Sequence, residues 1–308
     1  MKTLRVLIYR NSKLFFKDKG MFFTSLITPA ILLVLYITFL GNVYRDSFVA
    51  EIPQGVQLSE KLIDGFVGGQ LLSSILAVSC VTVAFCSNML MVNDKTTGAR
   101  ADLTVSPVKP ALLSLSYYLA SMVSSLIICY FTAGIGLAYL ASVGWYLSGT
   151  DVALLLLDVF LTVSFGTALS SVIHFFLSSQ GQLSAVGTIV SSGYGFLCGA
   201  YMPLSQFGVG LRNLLAYLPG TYATSLFRSH ALNGVMKEME EVGFPTDALN
   251  GFRDVFDCNI YFFGTKVSVA ASYCIVVGAI VLLMGIFVLL NFKAMKKTFF
   301  RHKMQKST

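Results

Sequence analysis

Residues 93–110 read NDKTTGARADLTVSPVKP, a charged interruption between two long apolar runs. Asp94, Lys95, Arg100, Asp102 and Lys109 fall inside it, whereas Phe66 to Val92 before it and Ala111 to Val143 after it hold no Asp, Glu, Lys or Arg. A segment so bracketed must leave the hydrocarbon of a bilayer, because charge is expensive there. Thr96, Thr97, Asp102 and Leu103 are expected to cap and fill one short helix, with Gly98 and Pro107 as its punctuation. A plain solvated loop would use the same residues, so the surrounding sequence has to decide.

Those surroundings are apolar. Of the 308 residues, 55% are hydrophobic and 12% charged, against roughly 25% charged in an ordinary soluble domain. Uncharged apolar runs of about eighteen or more residues cross a ~30 Å hydrocarbon core as helices. Six such spans are expected, at 21–41, 66–92, 111–143, 152–177, 183–202 and 265–290. The fold class that follows is all-α, a polytopic membrane protein of one domain over residues 1–308. Pro29 is tolerable inside the first span. Gly68, Gly69, Ser73 and Ser74 let the second approach its neighbours, and Trp145 with Tyr146 mark the exit of the third at an interface. Five of the six cysteines lie in apolar runs and Cys258 in a polar stretch, so no disulfide framework is expected. The first apolar run starts only at Met21 and lacks a small-residue cleavage site, so no cleavable leader is expected.

Residues 1–20 read as a helix lying flat on the membrane. Leu4, Leu7, Ile8, Leu14 and Phe15 share one face, and Arg10, Lys13 and Lys17 the other. With Lys2, Arg5 and Lys19 the bases number six against one acid, Asp18, which favours anionic lipid. A basic tail that only fixes topology is the alternative, and Val6 and Phe16 on the wrong faces suit it. Residues 203–228 are apolar but broken by Pro and Gly. Their stripe of Leu211, Leu214, Leu215 and Leu218, opposite Arg212 and Asn213, is expected to form a half-helix dipping back into the outer leaflet, shielded by protein. Residues 231–264, with six acids and two bases, are expected to be an outer polar loop. In this arrangement the side holding both termini and the 93–110 segment carries fifteen Lys and Arg, against seven on the other side. That excess puts both termini and the segment in the cytoplasm, in the plasma membrane of the cell.

Several chemistries are missing. His174, His230 and His302 are far apart and match no zinc spacing, and no G-x-x-x-x-G-K-[ST] loop is present to hold ATP. No catalytic residue, metal site or cofactor is therefore expected in this chain, and no nucleic-acid partner. The acid placed inside a span is Asp158, with Asp151 seven residues earlier on the same face. It could line a pathway, since acids in membranes usually have a function. It could equally sit near the outer mouth, hydrated or bonded to nearby Ser and Thr. Gly187, Gly193, Gly195 and Gly199 could line a pathway but are expected to serve close packing, and Arg228 and His230 to end the dipping element.

At this point the chain resembles a known family, the permease subunits of ATP-binding-cassette (ABC) exporters of the second type. The resemblance rests on the flat basic helix, the charged segment between spans two and three, and GAYMPL at 199–204 followed by LPGTY at 218–222. Tyr201, Pro203, Leu211, Leu214, Leu218, Pro219 and Tyr222 fall within that second pattern, although Gly208 stands where the family often has a further proline. The resemblance implies a dimer with a second permease copy or paralogue, docked on a separate cytoplasmic ATPase that binds ATP and Mg. It makes 93–110 the coupling segment, with Asp94, Lys95, Thr96, Gly98, Arg100, Asp102 and Leu103 at the docking surface. Arg5, Arg10, Lys13 and Lys17 of the interfacial helix would lie close to the ATPase. Tyr201, Pro203, Leu211, Leu214, Leu218 and Pro219 become an outer gate, with Asp158 a possible pathway residue. The cargo expected is amphipathic or hydrophobic, such as a drug, peptide or lipid. A polysaccharide or glycolipid exporter is the alternative, and a stand-alone secondary transporter a weaker one.

Overall fold

The computed structural model describes residues 2–50, 52, 58–105 and 108–305, with backbone alone from 294 onward. Pro107, expected to punctuate the charged segment, lies outside the described residues. In chain order the elements are α1 (Lys2–Lys17), α2 (Lys19–Leu35), a π turn (Tyr36–Leu40), α3 (Gly41–Ala50), α4 (Glu60–Thr96), α5 (Ala99–Val105), α6 (Pro110–Val143) and α7 (Gly149–Phe176). There follow α8 (Gln180–Leu197), a 3-10 turn (Leu204–Gln206), α9 (Val209–Leu215), α10 (Pro219–Glu241), α11 (Thr246–Val255), β1 (Ile260–Phe262), β2 (Thr265–Val267) and α12 (Val269–Gln305). The architecture is helical, with one two-stranded antiparallel hairpin.

Among the described residues five helices are long and apolar enough to cross a membrane: Lys19–Ala50, Glu60–Thr96, Pro110–Val143, Gly149–Phe176 and Val269–Lys293. The first is continuous through Pro29 and the π turn, so the start of the expected polar loop after residue 41 is helix instead. The span expected at 183–202 does not reach that standard. Its helix, α8, holds 18 residues rich in Gly, Ser and Gln. It stops at Leu197, where Gly199 adopts a left-handed φ of 74° and Ala200 N–H bonds back to the Gly195 carbonyl, a glycine stop signal that overrides the apolar residues beyond it.

α4 is the axis. Its apolar window is 89% buried, against 11% for α12, so α4 is surrounded by protein and α12 is peripheral. α2, α6, α7, α8 and α10 all pack on it. Small residues allow this: a Cβ on Gly166 of α7 would lie 2.9 Å from the Val81 Cα of α4, the close approach on which helix packing in lipid depends. Asn88 adds polar glue by donating to Ser170 and Ser171 of α7 (both 3.0 Å) while accepting from Ser121 of α6 (3.2 Å).

Two expectations need correction here. Residues 231–264 are mostly ordered structure: α10 runs on to Glu241, and α11 and the hairpin follow. Their charges coexist with a buried apolar side, since Leu232, Val235, Met236, Met239, Leu249 and Phe252 all enter the main core. The half-helix stripe is also turned. Leu215 is the buried member, whereas Leu211, Leu214 and Leu218 are exposed and Arg212 and Asn213 half-buried.

Candidate functional site

The charged segment forms an elbow at one end of the bundle. α4 ends at Thr96, Thr97 caps it, and Gly98 at φ 84° reverses the chain into α5. Thr96 and Thr97 hydroxyls both donate to the Asn93 carbonyl (3.0 and 2.9 Å), closing the end of α4 rather than starting α5.

Asp94 and Lys95, adjacent in sequence, tie the elbow to different helices. Asp94 is buried, paired with Arg10 of α1 at 2.6 Å, and accepts from the Tyr117 hydroxyl of α6 at 2.5 Å. Lys95 donates to the last carbonyls of α7, those of His174, Phe175 and Leu177, at 3.0, 2.9 and 3.1 Å, a cation placed at the negative end of a helix dipole. Arg100 is half-buried, and that burial lowers its pKa against the opposing pull of Tyr117 and Asp94. Leu103, like Leu14, Met21 and Val108, packs against the buried cluster that holds Leu90, Met91, Leu113 and Tyr117. What faces outward is Thr96, Thr97, Gly98, Asp102 and Val105, the last 89% exposed.

α1 lies along α6. Its buried stripe is Leu7, Asn11 and Phe15, with Asn11 donating to Ser116 (3.3 Å). Arg5, Lys13 and Lys17 are exposed as expected, but Arg10 turns inward to Asp94 instead of joining them.

At the opposite end, α10 is fastened by two buried polar clusters. The His230 ring nitrogen Nδ1 lies 2.6 Å from Asp158 Oδ2 of α7, and the Tyr273 hydroxyl of α12 donates to Asp158 Oδ1 at 2.8 Å. Two residues earlier on α10, Arg228 donates to Asp257 (2.9 Å) and to the Gly199 carbonyl (2.6 Å). Asp257 also accepts from the backbone N–H groups of Leu204 and Ser205. Burial pushes the Asp257 carboxyl above its usual range, while Arg228 and those amides pull the other way.

Between α2 and α8 runs a cleft of about 1190 Å³. It extends from Asp18, Asn93 and Gln180 at the elbow end to Gln206 and Phe256 at the other, between walls that include Ile31, Phe39, Met89 and Phe196.

Residues 2–232 match the family model of the ABC-2 type transporter. The chain belongs to that family. Its permease domain lacks the ATPase, and permeases of this family generally pair with an ATPase subunit. No curated protein matches the chain.

Within this permease the sequence-level site residues separate into groups. Asp94, Lys95, Thr96, Gly98, Arg100, Asp102 and Leu103 share the elbow, but Asp94 and Lys95 face inward. Tyr201 and Pro203 line the cleft, whereas Leu211, Leu214 and Leu218 face outward and Pro219 starts α10. Asp158 is bonded to His230 and Tyr273, not to neighbouring Ser or Thr, and does not line the cleft. Tyr117, Asn88, Arg228, His230, Asp257 and Tyr273 went unread as partners. Each is polar inside an apolar or folded stretch, which is the signal that a partner exists, but the partners lie 23 to 115 residues away.

Proposed function

We propose that this permease moves an amphipathic or hydrophobic cargo out of the cell, driven by a separate cytoplasmic ATPase docked on the elbow. In this reading both termini and the elbow are cytoplasmic, α8 is the fifth of six crossings, and α9 with the start of α10 is a re-entrant element at the outer mouth. Two copies, or this chain and a paralogue, face each other across the α2 and α8 side.

The observation carrying the reading is the division of labour at the elbow. Its inward residues bind α1, α6 and α7, so a push on the tip is delivered to three helices at once. Its outward surface, Thr96, Thr97, Asp102 and Val105, is exposed and free to meet a docked subunit. The mostly apolar walls of the cleft suit a hydrophobic cargo better than a polysaccharide. The bonding of Asp158 away from the cleft gives little basis for ion-coupled transport.

The test is the double variant Val105→Asp, Asp102→Lys, coexpressed with the ATPase. The chain should insert normally but lose the copurifying ATPase and ATP-driven flux in proteoliposomes. Undiminished copurification and flux would remove the docking role from this surface.

A further inference from the structure

α9 is inverted for a helix in water. Val209, Leu211, Leu214, Tyr217 and Leu218 are its exposed or adjoining residues, at 37% to 64% exposure, while Arg212 and Asn213 are half-buried. The hairpin tip adds to this surface. Tyr217 packs edge-on against Phe262 and Phe263 with ring centres 5.3 and 5.8 Å apart, and both phenylalanines are exposed.

The tip is also locally unfavourable. Phe262 pairs with Thr265, so Phe263 and Gly264 form a two-residue turn with φ of 47° and 83°. Such a turn favours Asn, Asp or Gly at its first position, and a bulky ring there is strained. The tip rings touch one another, yet more than half of Phe263 stays exposed in a conformation that disfavours it, which directs attention to what lies outside.

The level of the tip identifies what that is. Tyr273, four residues into α12, meets Asp158, nine residues into α7. At 1.5 Å per residue, α12 therefore begins about 7 Å below the start of α7 where the two cross the membrane side by side. The hairpin, separated from α12 by Ser268 alone, spans that step and so reaches about the level of the α7 N-terminus. Aromatic rings with a nearby cation are the residues that settle at a membrane–water boundary, and Lys266 is exposed on β2. α12, which follows the hairpin, also carries exposed Val277, Val281 and Leu282. None of Val209, Leu214, Tyr217, Phe262 and Phe263 lines the cleft between α2 and α8, so a second copy seated there leaves this patch open.

We infer that the β1–β2 tip is a lipid anchor that beds Phe262, Phe263 and Tyr217 at the headgroup–acyl boundary of the leaflet away from the elbow, with Lys266 toward the phosphates. It shares with the re-entrant reading of α9 only the assignment of that end to a membrane surface, and the two are tested apart.

The experiment places Phe263→Trp in the full chain carrying Trp145→Phe, reconstituted with phosphatidylcholine vesicles. Replacing the lipid with phosphatidylcholine brominated high on the acyl chain should abolish most of the Trp emission, and aqueous acrylamide should have little effect. Tyr217→Trp in the same background should respond alike and guards against a local fault of the turn. Emission quenched by acrylamide and indifferent to bromine would overturn the anchor in favour of a water-facing tip. Emission indifferent to both quenchers would overturn it in favour of a protein contact. Leu214→Trp reads α9 separately, so a buried α9 with a wet hairpin, or the reverse, tells the two proposals apart.

Discussion

Asp94 and Arg10 are two charges that the sequence places on surfaces and the fold turns toward each other. Arg10 is about a third exposed and Asp94 nearly covered, so the pair lies between the weak surface case and the buried one. Asp94→Ala leaves Arg10 and Tyr117 without their acceptor and is expected to destabilise the protein by about 1–3 kcal/mol. Thermal melts in detergent check this, and a double-mutant cycle with Arg10→Ala should show clear coupling; purely additive losses would mean that the ion pair contributes nothing. The charge pattern at 93–110 was legible because charge between apolar runs has one destination. The direction of each side chain was not, because Asp94 belongs to the last turn of α4 and only the three-dimensional position of α1 and α6 decides what it meets.

Short elements carry the bends. Gly98 has φ 84° and no atom within 4 Å of an added Cβ, so Gly98→Ala meets no obstacle and only the left-handed backbone penalty, about 1 kcal/mol. Folding should survive while the angle between α4 and α5 shifts. Flux per ATP hydrolysed should fall more than expression does, and an unchanged ratio would mean that the elbow tolerates a different angle. α10 is held differently, through His230 to α7 and α12. With His230→Ala, hydrogen exchange across 219–241 should accelerate relative to α4, whereas exchange confined to its wild-type pattern would assign the fastening to Arg228 and to Asn233, which donates to Asp151 of α7 at 2.7 Å. Composition revealed the long helices, which need only apolar length. It did not reveal α11 or the buried side of α10, since an acid-rich stretch with a narrow apolar stripe reads as loop until its partner surface is known.

Among the described residues the molecule has a packed axis in α4, an exposed apolar flank on α12 and an open cleft between α2 and α8. Ile189 on α8 is 67% exposed and Val281 on α12 is 66% exposed, yet their expected neighbours differ. Ile189→Cys should form an interchain disulfide under mild oxidation in membranes and Val281→Cys should not. The opposite pattern would move the dimer face to α12.

The brevity of α8 has an implication for the membrane itself. Eighteen residues make a rod of about 27 Å, slightly less than an average ~30 Å acyl layer. If that rod crosses the membrane, the lipid beside it must pinch inward or the helix must be met by polar chain ends, and each ångström of misfit carries a small penalty. The weakest strip of the bilayer then lies along the opening between α2 and α8, where a greasy passenger would slip from the lipid into the protein with the least distance to travel.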